Sequence, residues 1–262
     1  MSAADTSRRY RTLMTTTQPP LARVILSHPP LNILDFEMMD ELGAFLDEAE
    51  ARADISAIIF AGSDRAFSAG VDVKIHTPDK IAQMLEKFHG VIRRLATTKK
   101  VTIAAVRGFC LGGGAELAAI CDMVYTTDSA TWGFPEISLA AFPPVAAVIL
   151  PAIVGQKRAA ELVLTGRQIT GEDAMRMGLA NEAVAEDELA DLIEETAERI
   201  GKLSPSALAV CKKAFYAWDA IHFDKGLARA EQIYQNELMK LEDAKEGIAA
   251  FMEKRTPVWK GK

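Results

Sequence analysis

Short apolar runs alternate with longer stretches of helical periodicity in the first half of the chain, and this alternation constrains the fold more than any other feature. The runs are rich in β-branched residues and too short for helices, whereas the longer stretches repeat apolar residues every three or four positions. They predict strands at residues 22–27, 57–61, 101–106 and 122–126, and amphipathic helices at 36–52 and 78–95. Strands that alternate with helices indicate an α/β core.

The second half of the chain has a different pattern. Beyond about residue 143 it is almost wholly helical, apart from a short predicted strand near residues 180–184. No low-complexity tract or Gly/Ser linker separates the two halves, so we expect one main domain with a helical extension.

Charge and composition exclude several classes of function. The net charge of −6 argues against general binding to nucleic acid or to anionic membranes, and no segment approaches the roughly 20 apolar residues that span a bilayer. Residues 2–20 lack the apolar run of a secretory signal and predict an ordered lead-in to the first strand of a cytoplasmic protein.

Cys110, Cys121 and Cys211 are too few for a disulfide framework or a zinc site and predict buried, reduced thiols.

Two glycine-containing segments could present backbone N–H groups to a ligand. Residues 108–116, GFCLGGGAE, lie between a predicted strand and a predicted helix, where free N–H groups and the helix dipole favour negative charge. Their spacing fits neither a P-loop nor a dinucleotide fingerprint, so an oxyanion site is the remaining functional interpretation. Residues 66–74, AFSAGVDVK, form a second candidate. Close helix packing and an ordinary glycine turn are the structural alternatives.

Two glutamates are the candidate acid and base. Glu116 opens a helix within a very apolar stretch, and Glu136 follows Pro135 in GFPEI. Either residue is also explained by the preference for acidic residues in a first helical turn. A buried pair would titrate upward and could not easily be ionised together, so one carboxyl could act as base and the other as acid. The four histidines have no carboxylate or metal-ligand spacing around them, and no serine elbow is present.

Four segments in order make the chain resemble the crotonase (enoyl-CoA hydratase/isomerase) superfamily. They are AFSAGVDVK, GFCLGGGAELAAICDMVY, WGFPEISL and LTGRQITGEDAMRMGLANEAV. The resemblance implies a ClpP-like spiral of ββα repeats at residues 1–200 and a helical trimerisation region at 201–262. It also implies a homotrimer or a dimer of trimers, that is, a homohexamer.

The resemblance further implies the roles of four residues. The backbone N–H groups of Val71 and Gly113 would form the oxyanion hole for a thioester enolate. Members with carboxylates at both motif positions look like hydratases, so Glu116 is expected mainly to activate water and Glu136 mainly to deliver the proton, although the two could exchange roles. A double-bond isomerase and a non-catalytic or RNA-binding protein are the alternatives.

An acyl-CoA thioester is the expected partner, and no metal or separate cofactor is expected because coenzyme A is part of the substrate. The resemblance places the adenine near the backbone of Ser68, Ala69 and Val71, with Lys74 near phosphate. Phe251 and Lys254 would approach the nucleotide of a neighbouring subunit. The basic residue often found before the asparagine of the early motif is Leu31 here, which puts one phosphate contact in doubt.

Three segments resemble the branch of the superfamily that hydrates cyclohexa-1,5-diene-1-carbonyl-CoA to 6-hydroxycyclohex-1-ene-1-carbonyl-CoA in anaerobic benzoyl-CoA degradation. They are FSAGVDVKIHTP, SLAAFPPVAAV and the C-terminal residues 232–262. Common hydratases have a glycine-rich loop where this chain has Pro143-Pro144, and prolines would stiffen the acyl pocket around a flat ring. A packing variant of the loop and a general short-chain enoyl-CoA hydratase stay open as alternatives.

Overall fold

The computed structural model describes residues 10–216 and 219–261, which fold into two sheets surrounded by helices. Within these residues the strands are β1 (Leu13–Gln18), β2 (Leu21–Leu26), β3 (Ala57–Ala61), β4 (Ala66–Ser68), β5 (Val101–Val106), β6 (Phe109–Leu111), β7 (Met123–Thr127), β8 (Thr131–Gly133), β9 (Gln168–Thr170) and β10 (Glu182–Val184). The predicted α/β fold class is confirmed.

Helices fill the connections and the C-terminal part of the chain. They are α1 (Phe36–Ala51), α2 (Ile81–Thr97), α3 (Gly113–Ala119), α4 (Pro144–Ile153), α5 (Gln156–Thr165), α6 (Gly171–Met177), α7 (Leu189–Gly201), α8 (Pro205–Phe215), α9 (Asp219–Asn236) and α10 (Glu242–Glu253). Three short 3₁₀ helices span Val73–Ile75, Pro135–Leu139 and Leu238–Lys240.

The two sheets explain the repeated pattern of the sequence. The larger sheet has the order β1-β2-β3-β5-β7-β10 and the smaller one β4-β6-β8-β9. In three successive units, β3-β4-α2, β5-β6-α3 and β7-β8-α4, the first strand enters the larger sheet and the second enters the smaller one. This is the ββα spiral that the resemblance implied.

The predicted strands at 22–27, 57–61, 101–106, 122–126 and 180–184 correspond to β2, β3, β5, β7 and β10 within two residues at either end. The expectation of a plain lead-in at residues 2–20 was wrong for residues 13–18, which form β1 and pair antiparallel with β2, whereas residues 1–9 lie outside the described part. β1 carries three consecutive threonines and buries only Leu13 fully, so its sequence has no apolar period. β4, β6, β8 and β9 were missed because three residues are too few for a periodicity.

The C-terminal helices pack onto the spiral rather than standing apart from it. α9 lies against α2 and α4, and α10 lies against the 3₁₀ helices Val73–Ile75 and Pro135–Leu139. Leu227 and Tyr234 of α9 belong to the same buried cluster as the residues between the sheets and α1 to α4. The boundary predicted at residues 200 and 201 coincides with the end of α7, and the role of the following region in trimerisation stays a prediction.

Three expectations concerned membrane-spanning helices, metal ligands and the cysteines. Among the described residues, no helix combines the length and apolar character that crossing a bilayer requires. In the same part of the chain, histidine, cysteine and carboxylate side chains form no cluster that could hold a metal ion. Cys110 and Cys121 are buried free thiols as predicted, but Cys211 is exposed because it lies on the outer side of α8.

Candidate active site

The N–H groups of Val71 and Gly113 lie side by side at the start of α3. A Cβ atom placed on Gly113 would lie 3.5 Å from the Val71 nitrogen, and one on Gly70 would lie 3.4 Å from the Gly113 nitrogen. The sequence motifs around residues 70 and 113 are therefore brought together, although more than forty residues separate them.

Both N–H groups are unpaired for identifiable backbone reasons. Leu34 donates to Gly70 O and accepts from Asp72 N, so Val71 sits between the two bonds with its own N–H directed away. Gly113 is the first residue of α3, and the first N–H groups of a helix have no intrahelical acceptor. Within the described residues neither donates to a protein acceptor. Two such donors can bind one oxygen that gains negative charge, which is the requirement of an oxyanion hole.

Close backbone approach explains the glycines of this segment. Gly112 has φ +51, and a Cβ there would lie 2.6 Å from Oε1 of Glu136. A Cβ on Gly114 would lie 2.5 Å from the carbonyl oxygen of Ser68. The cluster thus serves close packing, which is one of the two interpretations left open by the sequence. The oxyanion interpretation stays a prediction.

Glu116 is held by the N-terminus of a different helix. It lies on α3, its side chain is buried, and its Oε1 accepts a hydrogen bond of 2.8 Å from the N–H of Ala146. Ala146 is in the first turn of α4, which begins at Pro144 and has no side-chain cap of its own. The Glu116 carboxylate therefore caps α4 from outside, where the helix dipole favours negative charge.

Glu136 lies in a less supportive environment. It is the second residue of the 3₁₀ helix Pro135–Leu139, and its Oε1 faces the Cα of Gly112. Its Oε2 is enclosed and has no hydrogen-bond partner within the described residues. An enclosed carboxyl oxygen without a donor favours the protonated form.

The two environments move the pKa values of the carboxyls in the same direction but by different causes. Burial raises the pKa of Glu116 to about 7, against the opposing effect of the N–H groups of Ala146 and Val145. Burial and then the charge of Glu116 raise the pKa of Glu136 to about 8. Because only Glu116 has N–H donors from another helix, Glu116 is the carboxyl that ionises more easily. The roles of Glu116 as base and Glu136 as acid stay a prediction.

The candidate coenzyme A residues lie on one side of this site, but not all of them can use their side chains. The Ser68 side chain is committed, since its Oγ donates to Asn32 O at 2.7 Å and accepts from Gly70 N at 3.1 Å. The N–H of Ala69 donates to Leu31 O at 2.9 Å, which leaves its carbonyl for a ligand. The exposed side chain of Lys74 lies on the 3₁₀ helix against which α10 packs.

Phe251 and Lys254 at the end of α10 are exposed. The helix α10 packs against the 3₁₀ helices Val73–Ile75 and Pro135–Leu139 of its own chain. Their approach to the nucleotide of a neighbouring subunit stays a prediction.

Three contributors to the site were missed by sequence reasoning. Pro143 and Pro144 were interpreted only as stiffening the acyl pocket, but they also begin the helix that holds Glu116. Asn32 has φ +52 and donates from Nδ2 to Ala66 O at 2.8 Å, which ties the early motif to the oxyanion loop. A proline pair before an apolar helix, and an asparagine after a proline turn, are the signals that could have suggested both roles.

One histidine has a carboxylate partner that its sequence neighbours do not indicate. His89 is fully buried on α2, and its Nδ1 lies 2.7 Å from Oε1 of Glu231 on α9. The spacing of residues in the sequence did not indicate this contact, because 142 residues separate His89 from Glu231. This pair joins α2 to α9.

Known proteins match nearly the whole chain. The sequence model of the enoyl-CoA hydratase/isomerase family matches residues 16–262. A probable enoyl-CoA hydratase from Rhizobium meliloti is 37% identical over 254 residues, covering 96% of this chain and 98% of the relative. Cyclohexa-1,5-dienecarbonyl-CoA hydratase from Thauera aromatica is 36% identical over 242 residues, covering 92% and 93% of the two chains.

A solved structure extends the similarity to the fold. The crystal structure of an enoyl-CoA hydratase/isomerase from Xanthobacter autotrophicus Py2 superposes with a TM-score of 0.86 at 32% identity, with 94% of each chain covered. The chain therefore belongs to the enoyl-CoA hydratase/isomerase family.

Proposed function

We propose that this protein adds water to an α,β-unsaturated acyl-CoA thioester. The observation that carries the proposal is the placement of Glu116 and Glu136 beside the unpaired N–H groups of Val71 and Gly113, with one carboxyl easier to ionise than the other. A hydratase needs an oxyanion site, a base and an acid at one thioester, and these four residues are chemically suited to supply them.

In the proposed reaction, Glu116 takes a proton from water while the water oxygen bonds to the β-carbon of the thioester. The electrons of the double bond move toward the carbonyl oxygen, and the N–H groups of Val71 and Gly113 stabilise the resulting enolate. Glu136 then gives its proton to carbon, and a proton passes back from Glu116 to Glu136 before the next cycle. Each glutamate thus ends in the state in which it began.

The finer proposal is that the substrate is cyclohexa-1,5-diene-1-carbonyl-CoA. The similarity to the Thauera aromatica hydratase supports this choice, as does the Pro143-Pro144 start of α4 beside Glu116. Here the dienolate extends beyond the α-carbon, so the proton from Glu136 goes to its far end. The product is 6-hydroxycyclohex-1-ene-1-carbonyl-CoA.

The test uses purified full-length protein with crotonyl-CoA and with the cyclic dienoyl-CoA, in parallel, in water enriched in heavy oxygen. We expect the label in a carbon-bound hydroxyl of the product and a kcat/KM that is higher for the cyclic substrate. A folded protein that incorporates no label with either thioester would exclude hydration. A higher kcat/KM for crotonyl-CoA would favour a general short-chain hydratase.

Deuterium distinguishes the remaining alternative, a double-bond isomerase. In heavy water the cyclic dienoyl-CoA should gain deuterium at the carbon farthest along the dienolate, together with a hydroxyl at the β-carbon. Isomerisation would move the double bond and exchange hydrogen without any gain of oxygen. Mass spectrometry of the product therefore separates the two reactions in one experiment.

A further inference from the structure

Ser68 contacts both backbone segments that carry the unpaired N–H groups. It is the last residue of β4, and its side chain is fully buried. Its hydroxyl binds the backbone of Gly70, the residue before Val71. A Cβ placed on Gly114, the residue after Gly113, would lie 2.5 Å from the carbonyl oxygen of Ser68 and 2.7 Å from its Cβ. One side chain and its backbone thus touch the neighbours of both donors.

The Ser68 hydroxyl uses its capacity to donate and its capacity to accept. It donates to Asn32 O at 2.7 Å and accepts from Gly70 N at 3.1 Å. Asn32 is itself held, because its Nδ2 donates to Ala66 O at 2.8 Å and its Oδ1 accepts from His28 N at 3.0 Å. The hydroxyl therefore fixes the peptide unit that enters Gly70 to a buried, hydrogen-bonded segment.

The peptide unit that leaves Gly70 carries the N–H of Val71. Its carbonyl, Gly70 O, accepts from Leu34 N at 2.9 Å. The C=O and N–H of a trans peptide point in opposite directions, so the Val71 N–H points away from Leu34. Gly70 has φ +100, and glycine is the residue with the greatest backbone freedom. The bonds from Ser68 and Leu34 restrain it on both sides and so fix the direction of the Val71 N–H.

We propose that Ser68 is a positioning residue that sets the direction and spacing of the two N–H donors, Val71 and Gly113. It acts on Val71 through the hydrogen bond to Gly70, and on Gly113 through the close contact with Gly114. The hydroxyl itself does not touch the thioester, because both of its hydrogen bonds are to backbone. This inference rests on the proposed function, in which these donors bind the enolate oxygen.

The test is Ser68→Ala, which removes both hydrogen bonds of the hydroxyl and keeps the Cβ beside Gly114. We expect kcat to fall about 10- to 100-fold, somewhat less than the loss that follows removal of an oxyanion donor. KM should change by less than about threefold, because these donors act mainly on charge that develops in the transition state. Ser56→Ala is the matched control, since Ser56 is also buried but its Oγ has no partner within the described residues. It should leave kcat and KM unchanged.

A conservative variant separates the hydrogen bonds from the packing. Ser68→Cys keeps an atom that donates and accepts only weakly, so its kcat should lie between those of Ser68→Ala and the wild type. If Ser68→Ala does not fold, as judged by circular dichroism, Ser68→Cys decides the question. A folded Ser68→Cys with the kcat of the wild type would overturn the inference.

A second measurement needs no turnover. Butyryl-CoA labelled with carbon-13 at the thioester carbonyl should resonate downfield when bound to the wild type, because N–H donors polarise the carbonyl. The shift should be smaller with Ser68→Ala and unchanged with Ser56→Ala. An unchanged shift and unchanged kcat in Ser68→Ala would overturn the inference, as would a raised KM alone. If the wild type hydrates no thioester but Ser68→Ala still reduces the shift, the proposed function fails while the role of Ser68 stands.

Discussion

The two glutamates of the site are held in opposite ways. Glu116 sits in a helix of the spiral and receives the N–H of Ala146 from the first turn of α4. Glu136 sits in a short 3₁₀ helix, where Oε1 touches Gly112 and Oε2 has no partner among the described residues. An N–H group of another helix thus binds the Glu116 carboxylate, whereas no donor among the described residues binds Oε2 of Glu136.

The difference shows how a fold gives chemically identical groups different tendencies to ionise. Burial raises the pKa of both carboxyls, but two N–H groups of another helix offset part of that effect at Glu116, whereas at Glu136 only its own backbone does so. When the pair carries one proton, these contacts favour that proton on Glu136. Each of the following predictions tests this difference between Glu116 and Glu136.

The largest effect should come from replacing either carboxyl. Glu136→Gln and Glu116→Gln should each lower kcat by a factor of about 10² to 10⁴, because general acid or base catalysis is lost. Binding of a saturated acyl-CoA, measured by calorimetry, should stay within severalfold of wild type, since neither side chain is placed at the coenzyme A residues. Retained activity in Glu136→Gln would exclude Glu136 as the proton donor. Glu195→Gln, a change in an exposed ion pair with Arg199, is the control.

Gly112→Ala should disturb Glu136 but not Glu116. The new methyl group would collide with Glu136 Oε1, and we expect kcat to fall by roughly 10- to 100-fold through misplacement of the carboxyl. Gly155→Ala is the matched control, because Gly155 also has a positive φ, +81, but has no atom within 4 Å of the added Cβ. Both variants should lose thermal stability from backbone strain. An equal loss of kcat in both would show that strain, rather than contact with Glu136, is responsible.

The sequence identified Glu116 and Glu136 as candidates but not the contacts that give them different environments. The strands of the larger sheet and the Glu116 and Glu136 candidates follow from local patterns, because apolar period and helix-start chemistry are properties of neighbouring residues. The bond from Ala146 to Glu116 joins residues 30 positions apart. The packing of α9 on α4 joins two helices that four others separate in the sequence. Contacts of this kind depend on tertiary packing, which a single sequence does not display.

The pH profile tests the order of ionisation. The proposed reaction needs Glu116 ionised and Glu136 protonated, so kcat/KM should fall as pH drops below about 7, where Glu116 gains a proton. It should also fall as pH rises above about 8, where Glu136 loses one. A narrow bell with its maximum near pH 7 to 8 is expected, with up to tenfold loss per unit on either side. A plateau extending above about pH 10 would contradict a protonated Glu136.

The smallest effect concerns stability, and it follows from the same raised pKa values. Since the folded state holds protons on this pair that the unfolded chain releases near pH 4.5, the free energy of unfolding should decrease as pH rises from about 4.5 to about 8. Glu136→Gln removes one of these groups and relieves the repulsion on Glu116. Its melting temperature should therefore exceed that of wild type by a few degrees near pH 8.5 and by much less near pH 5. The Glu195→Gln control should show no such change with pH. A gain of equal size at both pH values would mean that packing, rather than ionisation of the pair, accounts for the difference.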